Sequence, residues 1–575
     1  MTTRKVSIDL SLRNNFQSLP YLGSHLDPAV DTRPQPILPK VVWALNVLAS
    51  EQGARAASFA VESLIPITVP VNLNTPIFRQ IEVIDVHGNI SYMLMDDTLG
   101  PSGTRVYYLL TSDKSWTRFV SDTVPTALYF PVKHTIFQTR TIVLWTGGDA
   151  IDPAWTSVGY TPFNSFLDFD LISKSVTFHA IVGWEQWNTT WIGVASWGNY
   201  MLVYTLDRVF YSSPLDFKDF TPAEGLGGSL KISEALGPIQ MIVPNSRGFT
   251  IYCRKNIVVA EYSGDPVAPF IITEVPNSAG LILFEGEPLV TRNEQANYQV
   301  ALTSEGLMFV SPNNCEPAPP ALQAVVNQEY VEVKPADTAK VSRHFYPDSE
   351  LTQYRYNKLK RLDLFGTRLF MMFGGLAPVS GNEDYNRLLV YDLQTQETTW
   401  IEGDIISVVP NLNIQKNITT GRDFQNKIPT IVDSYLLTKR AVLTGQAVYK
   451  NIILDFANGT SSNSLPAAPF TFRKAELMIS ELSLKRGMLT ELYAVRPRGR
   501  ISLADQDYPV DPATIAEVLV FSELDDYTTP QVFTWVQEAG AYVGFAVGAR
   551  LRVIFQGNYF DLHELEFEIA NGGEA

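Results

Sequence analysis

Three stretches of the chain carry one strand–turn–strand phrase: MLVYTLDRVFYSS (201–213), FTIYCRKNIVVAEYS (249–263) and YQVALTSEGLMFVSP (298–312). Their spacing is nearly constant, 48 positions (249 − 201) and then 49 (298 − 249). In each, an apolar, β-branched run reaches a tight polar turn (Asp207-Arg208, Lys255-Asn256, Glu305-Gly306) and a second apolar run follows. A repeat of about 40–50 residues built only of short strands is the signature of a β-propeller blade. A large sandwich also spaces its strands regularly, every 8–12 residues or so. The expected fold is all-β: a β-propeller platform with an N-terminal arm and a C-terminal antiparallel β-sandwich-like domain. Such a platform is a scaffold, and its function has to be sought in what is attached to it.

The sequence divides accordingly. Residues 1–75 form an N-terminal arm and a short helical segment, 76–138 a β-hairpin region joining the propeller, 139–465 the propeller, and 466–575 the C-terminal domain. Residues 1–39 are polar and punctuated by Pro20, Pro28, Pro34, Pro36 and Pro39, as suits an arm lying on another surface. Residues 41–64, rich in Ala, Leu and Glu though interrupted by Gly53, predict a helix. IEVIDVHGNISYMLMD (81–96) predicts a hairpin turning at His87-Gly88-Asn89, and residues 105–121 a second one. FLDFDLISKSVTFHAIVG (166–183) opens the run of paired strands. LDLFGTRLFMMFGG (362–375) and RLLVYDLQTQETTWIEGD (387–404) continue it, with Trp400 expected to pack between blades.

Composition narrows the function classes. With 575 residues, 45% of them hydrophobic, the chain can bury a large core in two or more domains. Two cysteines, Cys253 and Cys315, exclude a disulfide framework and leave one bridge possible. No stretch has the apolar length of a signal peptide or a membrane span, so the chain is expected to be soluble and made inside a cell. The acceptor-like triplets at Asn188, Asn417 and Asn458 then read as chance. Sixty acids against 44 bases give a net charge of −16, which argues against tight, sequence-specific DNA binding. The basic clusters Lys358-Leu-Lys-Arg361, Lys439-Arg440 and Arg496-Pro-Arg-Gly-Arg500 read as solvated turns.

Chemistry-bearing motifs are sparse. His563-Glu564-Leu565-Glu566 resembles a zinc-protease start, but Phe567 stands where the second His belongs and the local pattern alternates like a strand. No nucleophile elbow, P-loop or dinucleotide fingerprint occurs. Asp168/Asp170 and Asp505/Asp507/Asp511 offer Ca²⁺-type ligands but lack the Gly and distal Glu of an EF-hand loop, so turn chemistry explains them. Residues 111–119 resemble the Asp-box turn of sialidase-like propellers, with Ser115 and Arg118 departing from the pattern; in that family the box braces a hairpin. A glycosidase needs two carboxylates facing each other across a sugar site, and nothing marks such a pair. The expectation is therefore a protein that is not an enzyme and has no catalytic, cofactor or metal site.

NYMLVYTLDRVFYSSPLDFKDFTP (199–222), GFTIYCRKNIVVAEYSGDPVAPFIITEVP (248–276) and QVALTSEGLMFVS (299–311) together resemble the tail nozzle proteins of short-tailed bacteriophages. These are also called tail tubular protein B or packaged-DNA stabilisation proteins. The resemblance lies in the paired strands, in the Tyr-Ser-Ser-Pro-x-Asp-Phe segment Tyr211–Phe217, and in the blade running from Tyr391-Asp392 to Trp400; it covers residues 140–405. It implies a homo-oligomeric ring, usually of six subunits, below the portal and adaptor of a virion and next to tail fibre or spike proteins. That ring retains the packaged genome and conducts DNA during ejection; it would be assembled in the host cytoplasm and would need no cofactor. The resemblance also lets the arm at 1–39 lie on a neighbour or on the adaptor ring, and much of the −16 face the bore, where like charge keeps the polymer mobile.

Two alternatives remain at this point. A receptor-binding, glycan-binding propeller would expose aromatic residues on one face, with Trp184, Trp187, Trp191 and Trp197 as candidates against a reading of inter-blade packing. A sialidase-like hydrolase would need the carboxylate pair.

Overall fold

The computed structural model describes residues 3–10, 41–50, 53–56, 58–70, 78–96, 107–110, 116–118, 133–146, 163–173, 175–183, 191–223, 227–284, 287–292, 298–319, 322–323, 326, 356–375, 385–393, 398–401, 404–410, 415–416, 423–424, 434–443, 446–455, 475–482, 488–501, 516–522, 524, 529–557 and 560–574. Strands make up almost all of the regular structure, with 3-10 turns at Glu234–Leu236 and Gln537–Ala539. Among the described residues no helix is long and apolar enough to cross a membrane.

Five consecutive four-stranded antiparallel sheets form the blades of a β-propeller. They span residues 78–118, 133–180, 193–231, 239–274 and 290–317. The repeated phrase is the second and third strands of blades three to five: Tyr200–Tyr204 with Arg208–Tyr211, Gly248–Cys253 with Ile257–Tyr262, and Gln299–Thr303 with Gly306–Ser311. Both faces of these strands are buried because each blade is packed between two others, and Gly248–Cys253 is buried at every position. That is why the phrases read as apolar runs more than as clean alternation. The first complete blade therefore starts at Phe78, upstream of the hairpin-and-propeller boundary drawn at 138/139 from the sequence.

Two further four-strand units complete the circuit. Tyr356–Ile401 forms the sixth. The seventh takes three strands from Asp404–Pro410, Ser434–Leu443 and Gln446–Asp455 and its outermost strand from Ser58–Pro70. Its first strand lies against that of the first blade, Phe78–Ile84, which closes the ring. Apolar clusters fill the gaps between neighbouring sheets: Phe166, Met201 and Phe210 between blades two and three, Leu202, Phe249 and Ile251 between three and four, and Phe370, Val390 and Val408 between units six and seven.

The helix predicted over 41–64 is not formed; the segment makes four strands, Val41–Leu45, Val47–Ser50, Gly53–Ala56 and Ser58–Pro70. Helix propensity is a weak prior, and here tertiary pairing overrides it. Val41 and Leu45 find partners at Ile479 and Glu476, Gly53 opposes Ser50 in a tight hairpin, and Asn46 takes a left-handed φ of 51° that no helix interior accepts.

The C-terminal domain is one sheet rolled on itself. Its strand order runs from Val41–Leu45 through 475–482, 551–557, 517–522, 531–536, 541–548, 488–500 and 561–574 to Gly53–Ala56 and Val47–Ser50. The two ends of that order are the two halves of one strand bent at the buried Asn46, so the halves of the sheet face each other in the expected sandwich-like way. Leu477, Val518, Val553 and Phe555 on one half pack with Leu492, Val495, Leu565 and Phe567 on the other. Of the expected arm, Arg4–Asp9 is described, and it pairs with Glu564–Ile569 of this same domain.

Candidate functional site: the brace between the second and third blades

Tyr211 ends a strand, and the chain then folds into a loop whose Ser and Asp side chains satisfy its own backbone. Ser212 Oγ accepts from Met201 N and donates to Ser213 O. Ser213 Oγ accepts from Leu215 N, Asp216 Oδ1 from Lys218 N, and Asp219 Oδ1 from Thr221 N. This is the local hydrogen bonding for which turns select Ser and Asp. The loop is docked on the end of the second blade by Val182 N to Lys218 O and Phe220 N to Val182 O. Gly183 beside it has φ +81°, and a Cβ there would lie 2.5 Å from Thr221 N, so only glycine fits.

The loop carries Phe217 into the second blade. Its ring centroid lies 5.5 Å from Phe137, 5.9 Å from Phe166 and 5.3 Å from His179, the last edge-on. The Arg140 guanidinium sits 4.9 Å above the ring. Beneath these groups the buried Asp168 accepts from Arg140 Nη1 at 3.1 Å and meets His179 Nε2 at 2.9 Å, both through Oδ2. Asp168 Oδ1 has no hydrogen-bond partner among the described residues. The site is thus a buried carboxylate shared by two basic side chains under an aromatic lid that the next blade supplies. Pairing keeps such a buried charge tolerable, and the lid removes it from water.

A second knot ties the first blade to the second. Asp85 accepts from His87 N and Asn89 N through Oδ1, and from Asn89 Nδ2 and Leu171 N through Oδ2. The hairpin turn lies where expected, with Gly88 at φ +76°. Asp170 caps its own turn by accepting from Ile172 N and Ser173 N. Burial pushes its carboxyl up, but those hydrogen bonds and the neighbouring His87 outweigh it and hold the group below the usual carboxylate range. Among the described residues no group of His, Cys, Asp and Glu is placed to hold a metal.

The remaining candidates fall as follows. Trp191 is buried against Phe210 and Phe220, and Trp197 packs on Tyr262 and Phe270 while donating to Asn245 O; both are packing residues between blades. Trp184, Trp187, residues 111–115 and Asp505, Asp507 and Asp511 lie outside the described residues. Trp400 packs with Phe373 and with Val300 and Leu307 of the fifth blade, as expected. His563-Glu564-Leu565-Glu566 is strand. The cluster at Arg496–Arg500 is strand as well, not a solvated turn: Arg496 pairs with Glu566 and Glu568, and Arg498 with Glu564 and Glu566. Lys358–Arg361 likewise lies in a strand, where Arg361 pairs with Asp363 at 2.6 Å. Cys253 and Cys315 are free and buried, and burial pushes their thiols up to about 12 and about 11. The Asp168–His179–Arg140 knot was missed from sequence, although the hairpin 166–183 held a clue: a turn after Asp170 sets Asp168 opposite Thr177 and diagonal to His179.

No known protein family matches the chain, and no curated protein is similar to it. Similar solved structures include the extracellular domain of a hybrid two-component system from B. thetaiotaomicron, 10% identical over 92% of this chain and 62% of that one, with a TM-score of 0.35. This chain thus spans less than two thirds of that relative's length. The exo-β-1,3-galactanase from Phanerochaete chrysosporium is 9% identical over 88% of this chain and 99% of its own, TM-score 0.22. The tail fibre of Staphylococcus aureus phage P68 is 15% identical over 47% and 51%, TM-score 0.16. At such values none of them assigns an activity or a partner. The expectation that the chain is not an enzyme is withdrawn, since an exo-β-1,3-galactanase is among the similar structures.

Proposed function

We propose that the chain is a structural subunit of a short-tailed phage tail, the nozzle ring that retains packaged DNA and conducts it during ejection. The observation that carries this reading is the role of Tyr211–Phe217. The segment on which the resemblance to tail nozzle proteins rests is the rigid loop that locks one blade onto the next. The charge distribution supports the same reading. Arg361 and Arg496 are largely buried against carboxylates, and the net charge is −16, which disfavours a tight grip on passing phosphates. The partners of such a ring are further copies of this chain, the portal and adaptor ring, tail fibre or spike proteins, and genomic DNA in transit.

Electron microscopy of the purified protein and of virions tests it. A closed ring of about six copies with an acidic lumen is expected, because heterologous contacts must close by rotation. A monomer, a trimer, or a ring with a basic lumen would refute it.

A further inference from the structure

Between Phe78 and Asp455 the described strands of the seven propeller units follow one another in chain order. The return step, from Gln446–Asp455 to Ser58–Pro70, is made by antiparallel strand pairing, with Asp455 opposite Ser58 and Gln446 opposite Pro70. Ser58–Pro70 also lies against Trp116–Arg118, the outermost strand of the first blade. The same stretch of chain is held at its other end by the C-terminal domain. Val41–Leu45 pairs with residues 475–482, and Ala54 and Arg55 with Leu562 and Asp561. Leu45 lies beside Trp400 of the sixth unit, whose carbonyl accepts from Asn46 N. A single residue separates the strand ending at Ala56 from the one starting at Ser58. Such a link spans about 7 Å at most, too little slack to uncouple the two.

We propose that Val41–Pro70 is a clasp: the propeller opens at the pairing of 58–70 with 446–455, and the C-terminal domain, gripping 41–56, governs that opening. Displacement of the C-terminal domain is passed along the clasp to the seam of the ring. The inference rests on strand pairing and holds whether or not the protein belongs to a virion.

Amide hydrogen exchange on the full chain tests it with two cysteine clamps, each measured oxidised and reduced. Ala60→Cys with Ile453→Cys bridges the clasp, since the register sets these residues opposite each other. Glu261→Cys with Ile271→Cys bridges two strands inside the fourth blade. Cys253 and Cys315 are buried and do not compete. Oxidising the clasp clamp is expected to slow exchange at least tenfold in both 446–455 and 78–84, whereas the blade clamp leaves 78–84 unchanged. The reduced form of each variant must match the parent protein; if the first pair does not fold, Val61→Cys with Ile452→Cys replaces it. Slowing confined to 446–455, or equal slowing of 78–84 by both clamps, overturns the proposal. Leu477→Ala, facing Ala44 inside the C-terminal domain, tests the coupling. It is expected to speed exchange about tenfold in 446–455 while the fourth blade stays unchanged. Faster exchange confined to the C-terminal domain overturns the coupling.

Discussion

Replacing Phe217 by alanine tests the brace most directly. The ring is half-buried against Phe137, Phe166, His179 and Arg140. A fully buried aromatic side chain removes about 150–250 Å² from water, so half of one removes about 100 Å². At about 25 cal/mol per Å² that is worth about 2.5 kcal/mol. The edge-on ring contact and the guanidinium add about 0.5–1 kcal/mol, for a loss of about 3 kcal/mol. A chain of several units does not melt in two states, so a single midpoint would blur the effect. Local exchange is the better assay, because opening free energies differ from one region to another. At a factor of ten per 1.4 kcal/mol, the amides of 140–146 and 163–170 should exchange roughly 100-fold faster, and those of 531–536 at their former rate. Phe217→Leu, which keeps much of the apolar area, should recover about half the loss. Acceleration below threefold at the two strands, or equal acceleration in the C-terminal domain, would refute the reasoning.

Other expectations are briefer. Gly183→Ala forces a side chain into a left-handed backbone 2.5 Å from Thr221 N; it should cost about 2 kcal/mol or more, read as loosening of the 213–221 loop in the same exchange experiment. Asp168→Asn removes the carboxylate that Arg140 and His179 share. Because both retain about a quarter of their exposure, the cost should be about 2 kcal/mol, below that of a fully buried pair. Hydrogen bonds from Lys5 and then Arg496 hold the Glu566 carboxyl below its usual range against the opposing effect of burial. A depressed carboxyl stabilises the fold above its unfolded value of 4.5 and loses that contribution as pH falls through the folded value. Protection of the Arg4–Asp9 amides, taken relative to their intrinsic exchange rates, should therefore fall below about pH 4, and Glu566→Gln should abolish that step. A thiol reagent at pH 8 should label neither Cys253 nor Cys315 in the native protein and both in guanidinium, since burial pushes both thiols far above that pH.

Strands with strong local signals were legible in the sequence. The phrases at 201–213, 249–263 and 298–312 carry β-branched runs around polar turns, and Gly88 marks the first hairpin. Pairings between distant segments were not. Nothing near Ser58 announces a partner at Asp455, and the Ala- and Leu-rich stretch around it favours helix until that partner is present. Phe217 reads as one aromatic in a polar loop; its meaning comes from Phe137 and Phe166, which the preceding blade brings to it. Arg496 and Arg498 look like a basic cluster because their carboxylates lie on a strand about 70 residues away.

The order of strands in the seventh propeller unit has a consequence for biogenesis. Ser58–Pro70 leaves the ribosome early, and its partner Gln446–Asp455 is made about 380 residues later. At about 5–20 residues per second that is a delay of roughly 20 to 80 s. Throughout it, this thirteen-residue, mostly apolar segment lacks its strand partner, and an unpaired edge of that kind recruits wrong partners. Synthesis rate and chaperone supply should then govern the yield of this protein more than the stability of its finished form, and a version permuted to begin at Phe78 should escape that dependence.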